Sequence, residues 1–134
     1  MKLSSKTITA IKMFIDLGEH YNEDFVPLKD IANRKNLSKK FLEQIVPIYK
    51  NNGLLIGNRG NQGGYKLSKK PTDISVKDII YILESGLHKE NYDCPPIDEL
   101  LSQTDDLLNS LFLKTTLNDL VERYKETYSY DYSI

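Results

Sequence analysis

The chain has 134 residues with 40% hydrophobic and 28% charged side chains, the proportions of one globular domain, or of one small domain with an appendage. One cysteine excludes an internal disulfide framework, and with only two histidines the chain has too few soft ligands for a structural zinc site of the usual four-ligand kind. The net charge of -1 hides an asymmetry: residues 1–86 hold 14 basic and 9 acidic side chains, residues 87–134 hold 4 and 10, so a basic part precedes an acidic one.

The opening Met1-Lys2-Leu3-Ser4-Ser5-Lys6 is charged, but no apolar stretch follows it. No signal peptide is read there and no run is long enough to span a membrane, so the expected location is the cytoplasm. Over residues 5–20, Ile8, Ile11 and Ile15 with Ala10, Phe14 and Leu17 recur by threes and fours, which predicts an amphipathic helix capped by Ser4 or Ser5 and fraying from Gly18. Leu28, Ile31 and Ala32 predict a short second helix. Asn36-Leu37-Ser38 is a turn, and Ser38 caps a third helix with Leu42, Ile45, Val46 and Tyr49 inward and an end at Gly53. Pro47 lies inside it and predicts a kink over residues 43–46.

Residues 54–56 and 65–67 are short strand candidates around Gly57-Asn58-Arg59-Gly60-Asn61-Gln62-Gly63-Gly64, a hairpin tip rich in glycine. Ser75 with Asp78 starts a fourth helix that buries Val76, Ile79, Ile80 and Leu83 and ends at Gly86. Residues 87–96 are a polar loop. From Ile97 a long helix runs to about residue 114, with Ile97, Leu100, Leu101, Thr104, Leu108, Leu111 and Phe112 as its stripe and Leu107 and Leu113 off it. That surplus of apolar surface calls for a partner. A short closing helix with Leu117, Leu120, Val121 and Tyr124 follows a Thr115 or Thr116 cap. The tail from Tyr128 to Ile134 is either a frayed end or an extended segment docked on a neighbour.

Helix, helix, tight turn, helix, glycine-tipped hairpin, helix is the order of a winged helix-turn-helix: mainly α, with a small β-hairpin wing and a long additional helix. Such folds place the third helix in the major groove with its N-terminal residues at the base edges. Those residues are Ser38, Lys39, Lys40, Glu43 and Gln44. The lysines suit phosphates, Gln44 can pair with adenine and Glu43 can accept from cytosine. Arg59 and Gly60 at the tip, with Lys66 beside it, suit the flanking backbone or minor groove. The competing reading is a winged-helix module that binds protein without reading DNA. No Ser/His/Asp or Cys/His set and no phosphate loop indicates an enzyme, so no catalytic residue is assigned.

Four segments resemble the Rrf2 family of bacterial transcriptional regulators. They are the opening hexapeptide; Leu28-Lys29-Asp30-Ile31-Ala32; Phe41-Leu42-Glu43-Gln44 leading to Asn52-Gly53-Leu54; and Arg59-Gly60-Asn61-Gln62-Gly63-Gly64-Tyr65-Lys66-Leu67. The last matches the family's wing pattern, R-G-x-x-G-G-Y-x-L, and the resemblance covers nearly the whole chain. It implies a homodimeric regulator, usually a repressor, bound to a double-stranded, roughly palindromic operator. The dimer interface would be the long helix, through Ile97, Leu100, Leu101, Leu108, Leu111 and Phe112. The implied organisation is a DNA-binding domain over 1–86, a sensor-type loop over 87–96 and a dimerisation segment over 97–134. The family's iron–sulfur members carry three cysteines in that loop, whereas this chain has Cys94 alone. The expectation is therefore no metal and no cluster. Cys94 reads either as a redox-sensing thiol or as a leftover of a lost cluster. An effector or partner protein would fit a pocket between the long helix and the DNA-binding domain.

Overall fold

The structure, a computed structural model, describes residues 2–59, 63–84 and 91–132. Gly60 of the wing tip, Gly86 and His88 lie outside the described residues. Helix α1 (Ser5–Glu19) starts at Ser4, whose Oγ accepts from the Thr7 N–H at 3.2 Å. Ala10, Met13, Phe14 and Leu17 are buried along its inner face, while Ile8 of the expected stripe turns out to solvent at 39% exposure. Gly18 is not part of a fraying end. A Cβ there would stand 2.7 Å from Val121 Cγ2, so the missing side chain lets the last helix cross α1 closely.

Helix α2 (Leu28–Lys35) ends at Asn36 in the left-handed conformation, φ +53°, and the Leu37 N–H returns to the Ala32 carbonyl at 2.9 Å. This closes the turn, and Ser38 Oγ then caps helix α3 (Lys39–Asn51) by accepting from the Phe41 N–H at 3.2 Å. Leu42, Ile45, Val46 and Tyr49 are buried, as the spacing requires. α3 runs without a break through Pro47, which lies on the exposed side, and stops before Gly53 at φ +78°.

Strands β1 (Leu55–Asn58) and β2 (Gly64–Leu67) form the antiparallel wing in the register Leu55↔Leu67 to Asn58↔Gly64. Each differs by a residue or two from the expected spans, because Leu54 stays below the strand and its N–H closes onto the Tyr49 carbonyl at 3.0 Å. Tyr65 also exchanges both backbone hydrogen bonds with Val26, each 2.9 Å, so the segment before α2 acts as a third edge of the wing. Gly64 is required here: a Cβ would run into the Val26 carbonyl and reach 2.7 Å from the Pro27 nitrogen.

Helix α4 (Val76–Leu83) ends three residues before Gly86. The Glu84 carboxylate is drawn to the start of α1, where Oε1 accepts from the Ser4 N–H at 3.1 Å and the Thr7 hydroxyl at 2.7 Å. The long helix α5 (Pro95–Lys114) begins inside the expected loop, since Pro95 and Pro96 suit a first helical turn and the Asp98 carboxylate accepts from the N–H groups of Tyr92 and Cys94. Helix α6 (Leu117–Tyr132) is not short: it runs helically through Tyr128 to Tyr132, where a frayed or extended segment is expected. Its start is a reciprocal capping box, Thr116 N–H to Asp119 Oδ2 at 2.9 Å and Asp119 N–H to Thr116 Oγ1 at 3.1 Å. Leu117 and Val121 enter the same core as α1, α3 and α4, which centres on Phe14 edge-on to Tyr49 at 4.8 Å. Among the described residues no helix is long and apolar enough to cross a membrane.

Candidate nucleic-acid interface

The two faces of α3 divide the labour. Its apolar side is consumed by the core, and the Tyr49 hydroxyl donates to the Ile79 carbonyl at 2.6 Å; burial pushes this phenol's pKa up, so it remains a donor. Ser38, Lys39, Lys40, Glu43 and Gln44 are all exposed on the other side. Ser38 Oγ is used as the cap but keeps its own hydrogen for a phosphate. Lys39 and Glu43 stand one turn apart at 3.9 Å, a loose surface pair that yields to a stronger partner.

Arg59 is exposed where β1 leaves the sheet. Lys66 is less free than expected, because its ammonium lies 4.5 Å above the Phe25 ring at the base of the wing. The structure thus brings the five α3 residues onto one surface and sets Arg59 and Lys66 on the wing; Gly60 is not described.

Sequence reasoning missed the cluster that seats α2. Asp16 is fully buried in α1 and accepts a two-pronged bond from Arg34, Nε to Oδ1 at 2.9 Å and Nη2 to Oδ2 at 2.8 Å. The bond to Asp16 raises the Arg34 pKa. Lys35 reaches Glu19 at 2.6 Å and Asp16 at 3.6 Å. Burial lowers the Lys35 pKa, but the Glu19 bond and the two carboxylate charges outweigh it and the net shift is upward. The available signal was an acid between Ile15 and Leu17 on an otherwise apolar stripe, with adjacent cations at Arg34 and Lys35. Glu84 was missed as well; its bond from the Thr7 hydroxyl, then that from the Ser4 backbone, holds its carboxyl below the usual range.

The stripe on α5 divides in two. Leu101, Leu108 and Phe112 are half-buried, and Phe112 meets Tyr81 of α4 at 6.4 Å between ring centroids. Ile97, Leu100 and Leu111 are exposed, and Leu107, 73% exposed, belongs with them rather than off the stripe. No residue of α5 is fully buried. A groove of about 280 Å³ lies between α1 and α6, walled by Ile11, Ile15, Leu120 and Tyr124.

Cys94 is exposed at the N-cap position of α5. As the chain's one thiol it supplies a single sulfur ligand per subunit, and no group of three or more His, Cys, Asp or Glu side chains among the described residues could hold a metal ion. That donor set does not fit an iron–sulfur cluster, which wants four thiolates or close substitutes.

Residues 3–123 match the family model Rrf2, described as an iron-dependent transcriptional regulator. The protein Rrf2 of Nitratidesulfovibrio vulgaris is 34% identical over 109 residues, 78% of this chain and 73% of that protein. The solved structure of CymR, the global cysteine regulator of B. subtilis, superposes with a TM-score of 0.81 at 34% identity, covering 92% of this chain and 98% of that one. IscR of T. potens superposes at 0.77 with 33% identity, covering 95% and 90%.

Proposed function

The chain belongs to the Rrf2 family and is a DNA-binding transcriptional regulator with a winged helix-turn-helix; from that premise we propose that it is a homodimeric repressor working in the cytoplasm. Its recognition surface is Ser38, Lys39, Lys40, Glu43 and Gln44, with Arg59, Gly60 and Lys66 on the flanking backbone or minor groove. The observation that carries this reading is the division of α3, whose inward residues Leu42, Ile45, Val46 and Tyr49 are spent on the core while Ser38, Lys39, Lys40, Glu43 and Gln44 stay exposed at its N-terminal end. A helix in the major groove needs that arrangement.

Dimerisation rests on α5. Twenty residues of helix with none buried and Leu100, Leu107 and Leu111 open to water form a larger apolar face than a lone chain leaves uncovered. A second copy covers it with the same face of its own, and two-fold pairing gives the two recognition helices a spacing of about one DNA turn. No step in this scheme passes through a bound cluster.

The test is fluorescence anisotropy on the DNA upstream of the chain's own gene, titrated against salt. Affinity should fall steeply with salt as phosphate counterions are released. Arg59→Ala should weaken operator and random DNA alike, whereas Glu43→Ala should reduce the preference between them. Wild-type protein without preference over random DNA, or with a flat salt titration, would instead favour a protein-docking module.

A further inference from the structure

Lys35 is a surface-helix lysine whose side chain is only 7% exposed, a rare state for an ammonium and one that demands good partners. Two other helices supply them. Glu19 and Asp16 of α1 stand at 2.6 and 3.6 Å, and the ring of Tyr124 in α6 lies under the ammonium at 4.5 Å. The Tyr124 ring is backed by Tyr128 at 4.4 Å between centroids. Lys35 is also the last residue of α2 before left-handed Asn36, where the chain turns into α3. Only Ile31 of α2 is fully buried, with Leu28, Ala32 and, just past the helix, Leu37 packed partly against the core, so charge and the aromatic face add to a modest apolar contact in holding its C-terminal end.

From this convergence we infer that Tyr124 and Lys35 are positioning residues for DNA recognition: α6, outside the winged-helix elements, sets the seat of the helix-turn-helix through one cation–aromatic contact. Without the ring, the ammonium is left with less than its burial requires and moves toward water, and the end of α2 moves with it. The α2–α3 turn, and with it the aim of Lys39, Lys40 and Gln44, then loses its fixed reference. Neither Tyr124 nor Lys35 needs to touch DNA for this.

The experiment compares wild type, Tyr124→Leu, Tyr124→Phe and Lys35→Met on operator and random DNA over a salt series, with thermal unfolding of each. Tyr124→Leu should lower operator affinity about tenfold, shrink the operator-to-random ratio and leave the salt slope unchanged, because no phosphate contact is lost. Tyr124→Phe, which keeps the aromatic face, should restore wild-type binding. Lys35→Met keeps the apolar stem and leaves the α1–α6 groove intact, so it should repeat the loss even if Tyr124→Leu folds poorly. A lower unfolding temperature with an unchanged operator-to-random ratio would overturn the inference in favour of a merely structural role. A salt slope reduced by about one in Lys35→Met would overturn it in favour of direct phosphate contact. If wild type itself shows no preference, the reading of the chain as a sequence-specific regulator fails, which is a separate result.

Discussion

Helices α3 and α5 are both amphipathic, and they end in opposite states. Every apolar residue that α3 directs inward (Leu42, Ile45, Val46, Tyr49) is at most 1% exposed, whereas on α5 Leu100 is 55% and Leu107 73% exposed. The first helix has buried its inward stripe within the chain, and apart from Ile48 and Pro47 its exposed residues carry hydrogen-bonding or charged groups. The second has not, and its outward residues are leucines. The same periodicity thus ends as a helix with a finished inner face in one place and as a helix with an uncovered apolar face in the other. What separates them is whether the chain has enough of its own surface to cover the stripe.

The sharpest way to break this contrast is to place the same charge on each. Ile45→Asp puts an unpaired carboxylate where there is no water, a cost of several kcal/mol against a total stability of about 5–15 kcal/mol, and the chain should be unfolded by circular dichroism. Leu107→Asp should alter the stability of a single chain by no more than about 0.5 kcal/mol, yet abolish self-association in sedimentation. A Leu107→Asp protein that still sediments as a dimer would remove α5 from the interface. A smaller effect is expected at the wing, where the glycine-tipped hairpin meets the Val26 edge. Gly64→Ala forces a methyl into the Val26–Pro27 backbone and should cost about 1–3 kcal/mol in urea unfolding; an unchanged midpoint would mean that the edge gives way freely.

The smallest effect belongs to Glu84, which ties α4 to the start of α1. Its pKa is lowered in the folded chain, so its contribution is fully present above the ordinary glutamate value of about 4.3 and fades as pH falls through the lower folded value. Glu84→Gln should therefore lower the unfolding temperature slightly at neutral pH and flatten the acid limb, so that variant and wild type converge as pH falls. The carboxylate is partly open to water, which keeps the effect modest. An identical acid limb in the variant would assign the acid loss to other carboxylates.

Elements governed by near neighbours could be read from the sequence. The stripe of α3 and the caps at Ser38 and Ser75 depend on residues three or four apart, and they appear as read, while Thr116 is the one of the two candidate threonines that caps α6. Features that depend on a distant partner could not be. Gly18 looks like a helix end until Val121 is brought against it. Asp16 looks misplaced on an apolar stripe until Arg34, eighteen residues on, returns beside it. Alternating aromatic and polar residues from Tyr128 suggest a frayed end or an extended docked segment, but the cap at Thr116 starts a helix that carries on to Tyr132. Within the candidate interface, the exposure of Ser38, Lys39, Lys40, Glu43 and Gln44 follows from the helix pattern alone. The cluster proposed to fix their aim, Asp16, Lys35 and Tyr124, is assembled from three helices and has no local signature.

The corner between α5 and α6 is stitched to the start of α4: the Val76 N–H donates to the Thr115 carbonyl and the Leu117 N–H to the Ile74 carbonyl, each at 2.8 Å. A joint held on both sides of Thr116 is a fulcrum, and α5 is the arm that leaves it. Twenty residues at 1.5 Å each make that arm about 30 Å long, so a tilt of roughly 10° at the corner carries the Cys94 end through about 5 Å. Small repacking around Tyr81 and Phe112, next to the fulcrum, is thereby magnified at the far tip of the molecule.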